Sequence, residues 1–186
     1  MSKPNDRDKA FVARLDNLVA DEDRGALAAL RRGLGRPPGA APEMYPIVER
    51  WLPADSDAGR DDPYYTVAAL YAFHQAGRPA AAARPPANLG ASFALLAQST
   101  QSESIEKRFV ALLNCRRDDL HVHLRHAVGL LKSKDIPVDW AQLAADIRAW
   151  SWEKRPVQRA WAKAFWAQPR KEGTTDAPTP EPAQGE

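Results

Sequence analysis

Apolar residues recur along most of this chain three and four positions apart, which places them on one side of a helix turning about 100° per residue. No stretch alternates long enough to suggest a strand. Phe11, Leu15 and Leu18 mark a first helix, and the acidic turn Asp21-Glu22-Asp23 divides it from a second over residues 24–32. Gly33 and Gly35 supply a C-cap and a break. The proline-rich run that follows ends in Ile47, Val48, Trp51 and Leu52, which predicts a loop leading into a short helix. After a polar loop, Asp62 as N-cap and Pro63 in the first turn open a helix with Tyr64, Val67, Ala68 and Tyr71 on one face. That helix is expected to be central. Residues 77–88 contain three prolines and read as an exposed connector.

In the second half the apolar signal is denser. A short helix carries Phe93, Leu95 and Leu96, and Thr100 and Glu103 beyond it have the spacing of a capping box. Residues 104–115 read as one helix and residues 118–134 as another, with Leu120, Leu124, Ala127, Val128 and Leu131 on its inner face. After Pro137, Trp140, Leu143, Ile147 and Trp150 repeat at intervals of 3, 4 and 3, the seam of a bundle helix. Pro156 opens a last helix in which Val157, Ala160, Trp161, Ala164 and Phe165 face one way. Arg155, Arg159 and Lys163 face the other way, with Trp166 among them. The pattern predicts an all-α protein of two lobes: an N-terminal helical domain over 1–100 and a C-terminal four-helix bundle over 101–168. The tail over 169–186 is too polar and proline-rich to bury a core, and is expected to be disordered.

Charge changes this picture more than composition does. The 186 residues carry a formal net charge of only +2, but residues 104–168 hold twelve Lys/Arg against seven Asp/Glu, a net of +5. A polyanion would therefore meet the second half, or a few local cations in the first. The single cysteine, Cys115, excludes an internal disulfide, fits a reducing compartment and reads as a small buried side chain. The N-terminus has no apolar signal region, and no run approaches the ~18–20 apolar residues of a membrane span. A soluble, cytoplasmic protein is expected.

Catalytic readings find little support. His123 and His126 have the spacing of two metal ligands on one helix, but His121 lies about 200° round from His123 and His74 is isolated. No nucleophile motif surrounds Cys115, and the glycine-rich stretch at 33–39 lacks the Lys-Ser/Thr of a phosphate loop. The pairs Asp61/Asp62 and Asp118/Asp119 read as helix starts. No enzyme activity, cofactor or metal is expected. The cations remain: Arg31, Arg32 and Arg36; Lys107 and Arg108; Arg116 and Arg117; Arg125, Lys132 and Lys134; then Arg155, Arg159 and Lys163. Such a set suits phosphate contacts that ignore base sequence and weaken with salt. Merely solvated helix faces would look the same in composition. Trp140, Trp150 and Trp161 share the apolar stripe and read as core, whereas Trp152 and Trp166 are open to either role.

Over residues 104–150, "SIEKRFVALLNCRRDDLHVHLRHAVGLLKSKDIPVDWAQLAADIRAW", followed by "VQRAWAKAFW", the chain resembles the CasB family, the small subunit of the type I-E CRISPR surveillance complex Cascade. The segment "ALAALRRGLGRPPGAAPEMYPIVERWLP" resembles the other recognisable part of that family, and together they cover most of residues 11–168. The resemblance implies an all-helical, two-lobed, non-catalytic subunit present in more than one copy beside the other Cascade subunits. It implies a role in supporting the guide RNA–target DNA hybrid and in holding the displaced non-target strand. Arg31 and Arg32 match the family's basic pair in "LRRGLG", Lys107 and Arg108 the pair in "IEKRF", Arg125 the arginine of "HLRHAV" and Lys132 the basic position of "LLKSKDIP". Arg155, Arg159 and Lys163 are assigned from the helix face, and Arg36, Arg116 and Lys134 from their neighbours in the basic set. The connector at 77–88 and the acidic tail depart from the family pattern. A structural adaptor whose basic faces meet acidic proteins is the alternative function.

Overall fold

A computed structural model of the chain describes residues 3–52, 58–75, 85–100 and 102–167. Among the described residues the regular structure is helical throughout. Its elements are α1 (Asp6–Ala20), α2 (Arg24–Arg31), α3 (Tyr45–Val48), α4 (Ala58–Gln75), α5 (Leu89–Thr100), α6 (Glu103–Asn114), α7 (Leu120–Lys132), α8 (Trp140–Arg148) and α9 (Pro156–Trp166). Short 3₁₀ turns flank α3. The expectations for the connector up to residue 84 and for the tail lie outside the described residues.

Side-chain caps set several helix starts by satisfying N–H groups that have no partner within the helix, each worth about 1 kcal/mol. Asn5 and Asp8 cap each other's backbone N–H at 2.9 Å, a reciprocal box at the head of α1. Asp23 accepts from the Ala26 N–H and Asp139 from the Gln142 N–H, both at 2.8 Å, opening α2 and α8. Two predicted starts differ from the structure. α4 begins at Ala58, so Asp62 is not its cap and Pro63 lies inside the helix. There the proline forfeits one backbone bond near the helix start, a small loss beside the burial of Tyr64 through Ala72 immediately after it. Thr100 belongs to the end of α5, where its hydroxyl donates to the Leu96 carbonyl, and Ser102 caps α6 instead.

α4 is the central element, as its sequence predicts, and it is covered nearly all round. The elements do not pack in chain order: α8 lies against α4 and α1, while α5 lies against α9, α6 and α7. Two buried polar groups pin these contacts. The fully buried Asp8 carboxylate receives the Arg148 guanidinium at 2.5 Å and the Tyr64 hydroxyl at 3.0 Å, which ties α1 to α8 and α4. Burial first, and the Asp8 charge second, push the Tyr64 hydroxyl up to about 12. On the other side Trp161, fully buried in α9, packs 5.1 Å from the Trp150 ring and donates its indole N–H to Asp146 at 2.7 Å.

Asp146 is itself fully buried, and burial pushes its carboxyl up to about 6, against the hydrogen bonds from Trp161 and Gln142. Because the folded value lies above the unfolded one, the stability this group contributes is complete below about pH 4 and is lost as pH rises through about 6. Asp146→Asn cannot ionise, although its amide nitrogen cannot accept the N–H of Trp161 or Gln142 that it would face; its stability relative to the parent protein is therefore expected to grow by about 2 kcal/mol in the variant's favour between pH 4.5 and pH 8. Parallel urea titrations at the two pH values check this; a difference that does not grow with pH refutes it.

Candidate nucleic-acid interface

The basic residues at the end of α2 lead into a loop, 33–39, that contains two left-handed glycines, Gly35 and Gly39, each at φ +74°. At Gly35 the backbone angle disfavours a side chain, and a Cβ there would stand 2.8 Å from Cδ and 2.9 Å from Nη1 of Arg125, whose exposed, flexible end would have to shift. The Arg125 side chain, reaching out from α7, thus lies against the loop at Gly35, about ninety residues away in sequence.

Two adjoining clefts lie beside this loop and the start of α7. Pro37 and Pro38 of the loop form one wall of a cleft of about 290 Å³ whose other walls include Thr66 and Asp62 of α4, Arg117, and His121 of α7. Burial raises the Asp62 carboxyl above its ordinary value, and the Arg117 charge acts in the opposite sense. Arg117 donates to the Ile147 carbonyl and so separates this cleft from a second one, of about 260 Å³, that it also lines. The second cleft lies between the α6–α7 connection and the turn from α8 to α9. Two bonds stitch those segments together, Trp150 Nε1 to the Cys115 carbonyl at 3.2 Å and Arg155 Nη2 to the Leu113 carbonyl, and Gln158 Nε2 braces the turn from α9 by donating to the Trp150 carbonyl at 2.9 Å. In the turn Lys154 and Arg155 both take left-handed backbone angles, φ 64° and 50°. Cys115 is only half-buried, less than expected, and burial raises its thiol to about 11, far from a reactive thiolate.

The remaining predicted cations fall into three groups. Lys107 and Arg108 are exposed on α6, and Arg159 and Lys163 are exposed on the outer face of α9, in line with Arg155. Arg116 is exposed at the second cleft, and Lys134 is exposed beyond the end of α7. Lys132 and Arg31 are less available. The Lys132 ammonium donates to the Phe73 carbonyl at 2.6 Å and sits 4.8 Å from the centre of that ring, while Arg31 is half-buried. No described carboxylate lies within ion-pairing distance of Arg32, Arg36, Lys107, Arg108, Arg116, Arg125, Lys134, Arg159 or Lys163. Each of these is a solvated charge able to exchange its counterions for phosphate.

The core assignment of Trp140, Trp150 and Trp161 agrees with the structure, since all three are buried, and the two open cases both surface. Trp152 is 55% exposed beside the second cleft; Trp166 is 47% exposed, but donates to Glu106 at 3.2 Å and packs edge-on against Phe109. Among the described residues no group of three or more His, Cys, Asp or Glu is placed to hold a metal ion, and no helix is long and apolar enough to cross a membrane. Arg117, which joins the two clefts, is the position sequence reasoning undervalued. Its only signal was its place between Arg116 and the acidic start of α7.

Among the described residues the helices, with exposed cations at their ends and on outer faces that no described carboxylate pairs, define a helical scaffold with a distributed basic surface. The chain belongs to the CRISPR-associated protein Cse2 family, whose description matches residues 26–166, and this is the CasB family that its sequence resembles. It is 38% identical over 169 residues to the CRISPR-associated protein Cse2 of Thermus thermophilus, covering 88% of this chain and 90% of that protein. A crystal structure of a Cse2-family protein from the same organism aligns with TM-score 0.73 at 34% identity, over 90% of this chain and 100% of that one. A chain of a CRISPR RNA-guided surveillance complex aligns with TM-score 0.71 at 30% identity, over 86% of this chain and 91% of that one.

Proposed function

We propose that this protein is a non-catalytic subunit of an RNA-guided DNA surveillance complex, binding nucleic acid backbone without sequence preference. It stabilises the R-loop by holding the displaced non-target strand and supporting the guide–target hybrid, next to the other subunits and further copies of itself. The observation that carries this reading is the set of exposed cations with no described carboxylate within ion-pairing distance, together with the reach of Arg125 from α7 to the loop at Gly35. The similarity to a chain of a surveillance complex supports the setting.

The energetics suit such a division of labour. Exchanging a DNA duplex for an RNA–DNA hybrid is nearly balanced, so modest contacts to phosphate tip the equilibrium and leave sequence reading to the guide. An unpaired strand needs only charge and surface. The division near residue 100 into an N-terminal lobe and a C-terminal four-helix bundle is part of the same proposal. Contacts of α5 on α9 and of α4 on α8 join the two lobes across that point.

The test is charge reversal at exposed pairs, which spares the half-buried Arg31. Lys107→Glu/Arg108→Glu and Arg32→Glu/Arg36→Glu are each expected to weaken binding to single-stranded DNA of any sequence. Each should also lower the slope of log affinity against log salt by about 1.4, since every phosphate left without its cation subtracts roughly 0.7. Circular dichroism should stay unchanged. Unaltered affinity and slope for both pairs would refute the reading and favour an adaptor that meets acidic protein surfaces.

A further inference from the structure

We infer that the cleft between the α6–α7 connection and the α8–α9 turn holds one unstacked nucleobase of the bound strand, with Trp152 as its stacking surface. The inference rests on the backbone-binding reading and adds a base contact to it.

Three observations converge on this cleft. Its rim carries Arg116, an exposed guanidinium suited to a phosphate, and Arg155, whose Nη2 is bonded to the Leu113 carbonyl and whose charge lies beside it. Beside them stands Trp152, a residue more than half exposed, while Trp150, two residues earlier, is buried and bonded to the Cys115 carbonyl. A large indole left in water next to cations is the arrangement that single-strand binders use, since every base has a flat face to offer. The third observation is an unsatisfied atom. Gln158 lines the cleft and is only 7% exposed; its Nε2 donates to the Trp150 carbonyl, which leaves Oε1 as a buried acceptor with no partner. An acceptor of this kind costs stability until a donor reaches it. Phosphate has no such donor at neutral pH, whereas each of the four bases carries an N–H on its pairing edge. The cleft therefore combines groups for both parts of a nucleotide.

Size fits a base rather than a larger ligand. About 260 Å³ falls below the ~300–1,000 Å³ of pockets that enclose drug-sized molecules. Arg117 forms a wall common to this cleft and the one bounded by Pro37 and Pro38. Because stacking is indifferent to base identity, the site adds affinity without adding sequence preference.

The experiment compares the full-length protein on a thymidine oligonucleotide and on an abasic strand of the same length, by fluorescence anisotropy at fixed low salt. The parent protein is expected to prefer the thymidine strand by about tenfold, the scale of one base–aromatic stack. Trp152→Ala should bind both strands as the parent binds the abasic one, Trp152→Phe should restore most of the preference, and Trp166→Ala should keep it. Trp152 is exposed, so its removal leaves the fold intact. Equal parental binding to both strands overturns the cleft proposal and leaves backbone binding standing, as does a preference that survives Trp152→Ala. Absence of parental binding to either strand overturns both.

Discussion

Replacing Gly90 by alanine is expected to cost at least about 3 kcal/mol and to lower the thermal midpoint by roughly 6–12 °C in a chain of this size. Gly90 stands where α5 crosses α9, and a Cβ there would lie 2.6 Å from the Trp161 Cα and closer still to its carbonyl oxygen. Both obstacles are backbone atoms, so no rotamer change relieves them and the helices must move apart. Separation would loosen Trp161 from Trp150 and from Asp146, two of the contacts that hold α9 to the rest of the fold. Gly129 in α7 provides the control. A methyl there would meet only the Phe73 ring, at 3.9 Å, and alanine favours a helix by up to about 1 kcal/mol over glycine. Gly129→Ala is thus expected to be neutral or stabilising in the same thermal scan. Equal effects at the two glycines would show that the α5–α9 crossing is looser than described.

Asp8→Ala is expected to be comparably severe, at about 3 kcal/mol in urea denaturation. It strips the Arg148 guanidinium of its partner in a half-buried site, and removal of one member of a buried pair leaves the other uncompensated. It also removes half of the reciprocal cap on α1 and the acceptor for the Tyr64 hydroxyl. Adding Arg148→Met to Asp8→Ala removes the stranded charge and should recover part of the loss, so the double variant is more stable than the sum of the single changes predicts. Strict additivity would mean that the two residues do not depend on each other.

Helical content and most of the core were legible because apolar spacing survives in each element. Val157, Trp161 and Phe165 are buried and Arg155, Arg159 and Lys163 are exposed, as a 100° step requires. Helix starts were less legible because several residues near each one have capping chemistry. Asp62 and Thr100 carry it as well as Asp139 and Ser102 do, and only the surrounding packing decides which side chain is used. The candidate interface was legible as a list of cations but not as a surface. Nothing local says that Lys132 folds back onto Phe73, or that Arg125 crosses Gly35. Both depend on contacts between residues far apart in the chain. The turn at 151–155 has no glycine and gave no sign of its left-handed pair.

That pair has a further consequence. A side chain in the left-handed region costs of order 1–3 kcal/mol that glycine would not incur, so Lys154 and Arg155 stand where glycines would suit the backbone better. Substituting glycine would ease the turn and erase two positive charges at once. Robustness and electrostatic reach therefore oppose each other at this corner, and a lineage adapting to heat would have to relax the turn by changing its length rather than its residues to keep both.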